Sequence, residues 1–169
     1  MVTVVHQTDL YRPHQDPDDH WDLACQYALA KLGRQRLGGI LLDYPYEGGP
    51  GDPDICAIAQ MNRICGMNVP YGIGAEPGKT LSQAAELLLS VLAESPVPVA
   101  VHIVGSCIDV ALALNAQPER FERNCAAIYL HAGAAQDDRQ LEYNVALAPW
   151  AYARVHAAPC PVYWLPCFH

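Results

Sequence analysis

The stretch that decides the fold reads Val97-Pro98-Val99-Ala100-Val101-His102-Ile103-Val104-Gly105-Ser106-Cys107-Ile108-Asp109-Val110-Ala111-Leu112-Ala113-Leu114-Asn115. Its first part, 97–104, is nearly all apolar, as a strand covered on both faces requires. Gly105-Ser106 then turns the chain, and 106–115 reads as a helix. A strand buried on both sides and followed at once by a helix is the repeating unit of a parallel sheet.

The same alternation extends in both directions. Residues 3–7 form a short β-branched run. Asp16-Pro17-Asp18-Asp19 then supplies a carboxylate cap, a proline at the first helical position and acids in the first turn. Trp21, Ala24, Cys25, Ala28, Leu29 and Leu32 follow at helical spacing, with Gly33 as the stop. Strands are predicted at 40–42, 69–73, 126–131 and 161–165, and helices at 54–65, 81–94 and 149–156. Thr80 is placed to cap the 81–94 helix, with Gln83 completing a capping box, and 118–123 forms an extra turn. A Gly/Pro-rich loop spans 43–53, and a polar loop runs from the fifth strand to about Asn144. The expectation is a single α/β domain over 1–169, a Rossmann-like, mostly parallel sheet of about six strands with helices on both faces. The chain stops just after a strand, which leaves a natural edge strand and a truncated larger protein both open.

Composition narrows the function classes. In 169 residues, apolar types reach 51% and charged types only 17%, which excludes a disordered chain. The formal charge of -8 argues against a nucleic-acid polymer as partner, since phosphate backbones need a basic face. No apolar run approaches the roughly 20 residues of a membrane span, and no leader is expected at the N-terminus. Seven cysteines without a Cys-x-x-Cys pair read as free thiols in a reducing cytosol rather than as a zinc site.

Ligands of such sheets bind outside the carboxyl ends of the strands, and carboxylates dominate that rim. Asp9, Asp16, Asp18 and Asp19 crowd into the loop after the first strand. Close carboxylates raise one another's pKa or bind a hard cation; helix capping accounts for one or two of them but not for Asp9. Asp43 follows the second strand. Pro77-Gly78-Lys79-Thr80 imitates a phosphate-binding loop, but the glycine that the motif needs five places before Gly78 is Ile73. Lys79 therefore reads as a surface residue. Gly105-Ser106-Cys107 lacks the Gly-x-Ser-x-Gly elbow of hydrolases, and Cys107 reads as core. Glu142 and Asn144, two apart, project to one side of an extended segment and suit two sugar hydroxyls, although a solvated loop explains them as well.

Taken in order, these pieces resemble the nucleoside hydrolase family, in particular its divergent bacterial branch. Gln7-Thr8-Asp9 followed by Asp16-Pro17-Asp18-Asp19 is similar to its Asp-x-Asp-Pro-Gly-x-Asp-Asp loop. Gly105-Ser106-Cys107-Ile108-Asp109-Val110-Ala111-Leu112-Ala113 resembles its Gly-Pro-Leu-Thr-Asn-Ile-Ala-Leu-Ala segment. His131-Ala132-Gly133, Glu142-Tyr143-Asn144 and Pro149 parallel its Met-Gly-Gly, Glu-Phe-Asn and helix-opening proline.

The resemblance implies calcium-dependent hydrolysis of the N-glycosidic bond of a small ribonucleoside. It implies that Asp18 and Asp19 bind calcium and the ribose hydroxyls. Asp9 or Asp16 would bind calcium and activate water, and the Ile108 carbonyl would ligate calcium. Asp19, Asp43, Glu142 and Asn144 would hold the ribose. The first loop is longer than the family's and lacks its glycine after Pro17, so the Asp9 and Asp16 roles stay open. The family's second half carries a His-Asp pair that completes the calcium site and assists the leaving base. The chain ends before that pair, so slow or no turnover is expected, with an exposed last strand that favours a homo-oligomer. The rival reading is a non-catalytic α/β module that binds metal or ribose at most.

Overall fold

The computed structural model describes residues 1–10, 17–44, 52–76, 78–135 and 140–167. Six strands form one sheet: β1 (Val2–Thr8), β2 (Gln35–Leu42), β3 (Tyr71–Ile73), β4 (Val99–Ile103), β5 (Cys125–His131) and β6 (Val162–Leu165). Their order is β3-β2-β1-β4-β5-β6, and every neighbouring pair is parallel. The helices are α1 (Pro17–Lys31), α2 (Pro53–Cys65), α3 (Gln83–Glu94), α4 (Ile108–Ala116), α5 (Pro118–Asn124), α6 (Tyr143–Leu147) and α7 (Pro149–His156).

Alternation along each strand feeds two cores. Val5, Leu41, Val101, Ile103, Ile128 and Leu130 pack against α3, α4 and α7. Leu37, Ile40 and Leu42 point the other way, onto Leu23 and Tyr27 of α1 and Ile58 of α2. Gly72 allows β3 to approach α3 closely: a Cβ there would lie 2.6 Å from the Ala84 Cα and the Gln83 carbonyl oxygen.

The sheet and the helices on both of its faces match the expectation, and four local differences have physical causes. β2 begins at Gln35 rather than Ile40, because pairing with β1 recruits the stretch through Gly38 and Gly39. A Cβ on Gly39 would press on Leu87 of α3 at 3.1 Å, so these glycines serve packing, not a turn. β3 is shorter at its start, since the Asn62 side chain bonds both the N–H and the carbonyl of Val69 and takes them out of the ladder. Ser82, not Thr80, caps α3, accepting from the Ala85 N–H. The expected polar loop before Asn144 ends in a helix, α6, capped by Glu142.

β1 lies at the centre, with β2 on one side and β4 on the other. The chain reverses its direction of travel across the sheet there, which opens a crevice beyond the carboxyl ends of β1 and β4. Among the described residues no helix is long and apolar enough to cross a membrane.

Candidate active site

At that crevice Asp43 is the hub of a buried network. Its Oδ1 accepts from the Gln7 Nε2 at 2.6 Å and the Ser106 Oγ at 2.7 Å, and its Oδ2 from the Ser106 N–H at 2.9 Å. The Gln7 Oε1 accepts from the Gly105 N–H at 2.9 Å. Gly105 has to be glycine, since a Cβ would lie 2.9 Å from the Gln7 Nε2, 3.0 Å from the Asp9 N and 3.1 Å from the Asp43 Oδ2. The close approach of β4's end to β1's end thus draws Asp9, Asp43 and Ser106 together.

Asp9 and Asp19 are both buried and hydrogen-bonded to each other. Thr8 donates its hydroxyl to the Asp19 Oδ1. Burial raises the Asp19 pKa, the neighbouring Asp18 charge raises it further, and the bonds from Thr8 and Asp9 oppose the rise. Leu10, next after Asp9, is buried at a φ of 23°, a backbone strain held in place by core packing at the rim of the site. Asp18 is exposed at the start of α1. Asp16 lies outside the described residues.

From the β5 side, the Glu142 carboxylate accepts from the N–H groups of Gly133 at 2.8 Å, Asn144 at 2.8 Å and Val145 at 3.2 Å. Asn144 donates its Nδ2 to the Val104 carbonyl at 3.0 Å, which fixes it to the end of β4. Its Oδ1 is buried without a hydrogen-bond partner, and an unsatisfied buried acceptor costs about 1–3 kcal/mol.

Beside these groups opens a cleft of about 300 Å³, which Asp43, Tyr44, Lys79, Ile108, Asp109 and Trp150 help to line. Of the metal- and ribose-binding residues expected from the sequence, Asp43 and Ile108 face this cleft. Asp9 and Asp19 pair outside it, and Glu142 and Asn144 brace its far edge. Lys79 is exposed as expected, yet it also lines the cleft. Cys107 is core: burial first, then the charges of Asp43 and Glu142, pushes its thiol up to about 12. Among the described residues no three His, Cys, Asp or Glu side chains converge as a metal site. The donor chemistry still fits calcium, because the touching Asp9 and Asp19 carboxyl groups offer hard oxygens, with the Asp18 charge close by.

Two groups escaped the sequence reading. Gln7 crosslinks three strand ends. Asp109 is buried in α4 and accepts on Oδ1 from the Ala75 N–H at 3.0 Å and from the Ser82 hydroxyl. Burial raises its pKa against the pull of those two bonds.

No protein-family model matches the sequence, and no curated protein matches it either. Solved structures do match. The inosine-uridine preferring nucleoside hydrolase from Bacillus anthracis is 16% identical with a TM-score of 0.64 over 99% of this chain. An inosine-guanosine nucleoside hydrolase is 15% identical with a TM-score of 0.73 over 97%. The fold is that of the nucleoside hydrolases. The type III effector protein XopQ, solved in complex with adenosine diphosphate ribose, is also similar, at 18% identity and a TM-score of 0.67 over 98% of the chain. The chain spans 65%, 59% and 57% of these three proteins' lengths, respectively. At such identities the nucleoside hydrolase likeness is one of architecture.

Proposed function

We propose that this chain carries the water-activating and ribose-holding part of a calcium-dependent N-ribosyl hydrolase site acting on small ribonucleosides. The observation that carries the reading is the buried Asp9–Asp19 carboxyl pair at the end of β1, at the point where the sheet reverses. Two touching carboxyl groups away from water cannot both stay ionised without a proton or a cation between them. The architecture shared with nucleoside hydrolases, and with a protein solved with a ribosyl ligand, supports a ribosyl substrate.

Asp9, Asp18, Asp19 and the Ile108 carbonyl would hold the calcium, with Asp16 as a further carboxylate of the same loop. A bound divalent ion lowers the pKa of water and so supplies a nucleophile near neutral pH. Asp9 or Asp16 would take up the proton of the attacking water, with Asp19 beside Asp9. They also face the positive charge that grows on the ribose as the C–N bond breaks. Asn144 offers its orphaned Oδ1 to a ribose hydroxyl, while Asp43 and Glu142 keep the crevice walls in register and complete the polar grip. The seven free thiols support a reducing, cytosolic setting. The exposed edge strand β6, with Tyr163, Trp164 and Leu165 open to solvent, supports self-association.

Millimolar calcium is expected to raise the melting temperature by a few degrees, because a ligand of the folded state stabilises it. The Asp18→Asn/Asp19→Asn variant should lose that rise. An unchanged melting temperature in the parent chain, or an equal rise in the variant, removes calcium from this site.

A further inference from the structure

All seven cysteines are free, and two of them meet. Cys125 opens β5, and Cys160 lies between α7 and β6. β5 and β6 are parallel, with Ile128 level with Val162 and the Ile128 N–H bonded to the Pro161 carbonyl at 2.9 Å. That bond brings Cys160, the residue before Pro161, to the start of β5, where Cys125 lies. Cys160 packs on the core cluster that contains Cys125, and the two thiols share a hydrogen bond.

We propose that Cys125 and Cys160 are a redox-modification site that closes to a reversible disulfide when the protein meets a hydroperoxide. The two partners are unequal in a useful way. Cys125 is 7% exposed, and its hydrogen bond with Cys160, followed by burial, raises its pKa. Cys160 is half-buried and so is the thiol that a peroxide reaches first. The Cys160 thiolate attacks the peroxide, takes one oxygen as a sulfenic acid and releases hydroxide, which becomes water with the proton lost from Cys160. The Cys125 sulfur then attacks the sulfenic sulfur, the S–S bond forms, and the second water leaves with the Cys125 proton. Two thiols and one peroxide give one disulfide and two waters.

The bond has a consequence for the site. The segment it closes off, 126–159, carries Glu142, Asn144 and α6–α7, the far wall of the crevice. Oxidation ties both ends of that segment and leaves the Asp9–Asp19 side untouched. This inference does not rest on the hydrolase reading.

The test uses the full chain with Cys167→Ser, so that Cys160 is the sole cysteine of its tryptic peptide. The protein is treated with a few equivalents of hydrogen peroxide, its remaining thiols are alkylated, and its peptides are mapped by mass spectrometry. A Cys125–Cys160 crosslinked peptide is expected, reversed by dithiothreitol. The melting temperature should rise by roughly 5–15 °C, because a long loop is closed in the unfolded chain. A Cys160→Ser companion should show neither change. Alkylated Cys125 and Cys160 while other thiols oxidise, or Cys160 carried on to sulfinic acid beside a free Cys125, overturns the proposal.

Discussion

Stability is expected to fall steeply as the pH drops from about 6.5 toward 3, and His6 is the main cause. It sits on β1 with no exposed surface, its ring stacked on that of His102 with Nδ1 to Nδ1 at 3.0 Å, and its buried Nε2 has no partner. Burial, then the neighbouring His102, drives its pKa down to about 3 from 6.5 in the unfolded chain. Between those values the unfolded chain binds a proton that the folded one refuses. The contribution is therefore intact above pH 6.5 and lost as the pH falls. At about 1.4 kcal/mol for each tenfold difference in proton affinity, the loss is on the order of several kcal/mol. His102 acts in the same direction: burial lowers its pKa, the Asp22 charge opposes that and the His131 charge adds to it. Asp19 and Asp109, whose pKa values burial raises, act the other way and favour the fold at acid pH. Urea midpoints at several pH values, compared between the parent and His6→Gln, measure this directly. The variant's profile should be markedly flatter between pH 6.5 and 4, and two parallel profiles would assign the acid sensitivity elsewhere.

Asp43→Ala is expected to cost several kcal/mol. It strips the acceptor from the Gln7 amide, the Ser106 N–H and the Ser106 hydroxyl at once. Each buried donor left unsatisfied costs about 1–3 kcal/mol. Asp43→Asn keeps one acceptor oxygen but sets an amide N–H₂ against donors, so it should fall between the two. Urea unfolding ranks the three proteins. A loss in Asp43→Ala below about 0.5 kcal/mol, the range of an ordinary surface change, would mean that the network does not hold the strand ends.

The fold was legible because its cause is patterning. The apolar run before Gly105 could bury itself only under helices on both sides, and α2 ends at Cys65, where the sequence reading ended it, with Gly66 at a φ of 66°. α7 runs from Pro149 to His156, the range read from the sequence. What escaped depends on partners distant in the chain. Gln35 joins β2 only because Val2 stands opposite it. Ser82 displaces Thr80 as a cap because Asp109, from another helix, takes its hydroxyl. A lone carboxylate inside the apolar run Cys107 to Leu114 was the visible signal for Asp109, and a glutamine on a strand otherwise suited to burial was the signal for Gln7. Neither residue type says which backbone groups it will bond. Asp43 was visible as a rim acid, but its role as a clamp on Gln7 and Ser106 needs the register of β1, β2 and β4.

The central claim is that the acids at the end of β1, with calcium, hold a ribosyl ligand. Isothermal titration calorimetry of inosine into the chain, in millimolar calcium and again in chelator, tests it most directly. The account predicts saturable heat in calcium alone, abolished in Asp9→Asn. Absence of binding in calcium, or equal binding in chelator or in the Asp9→Asn variant, would contradict it.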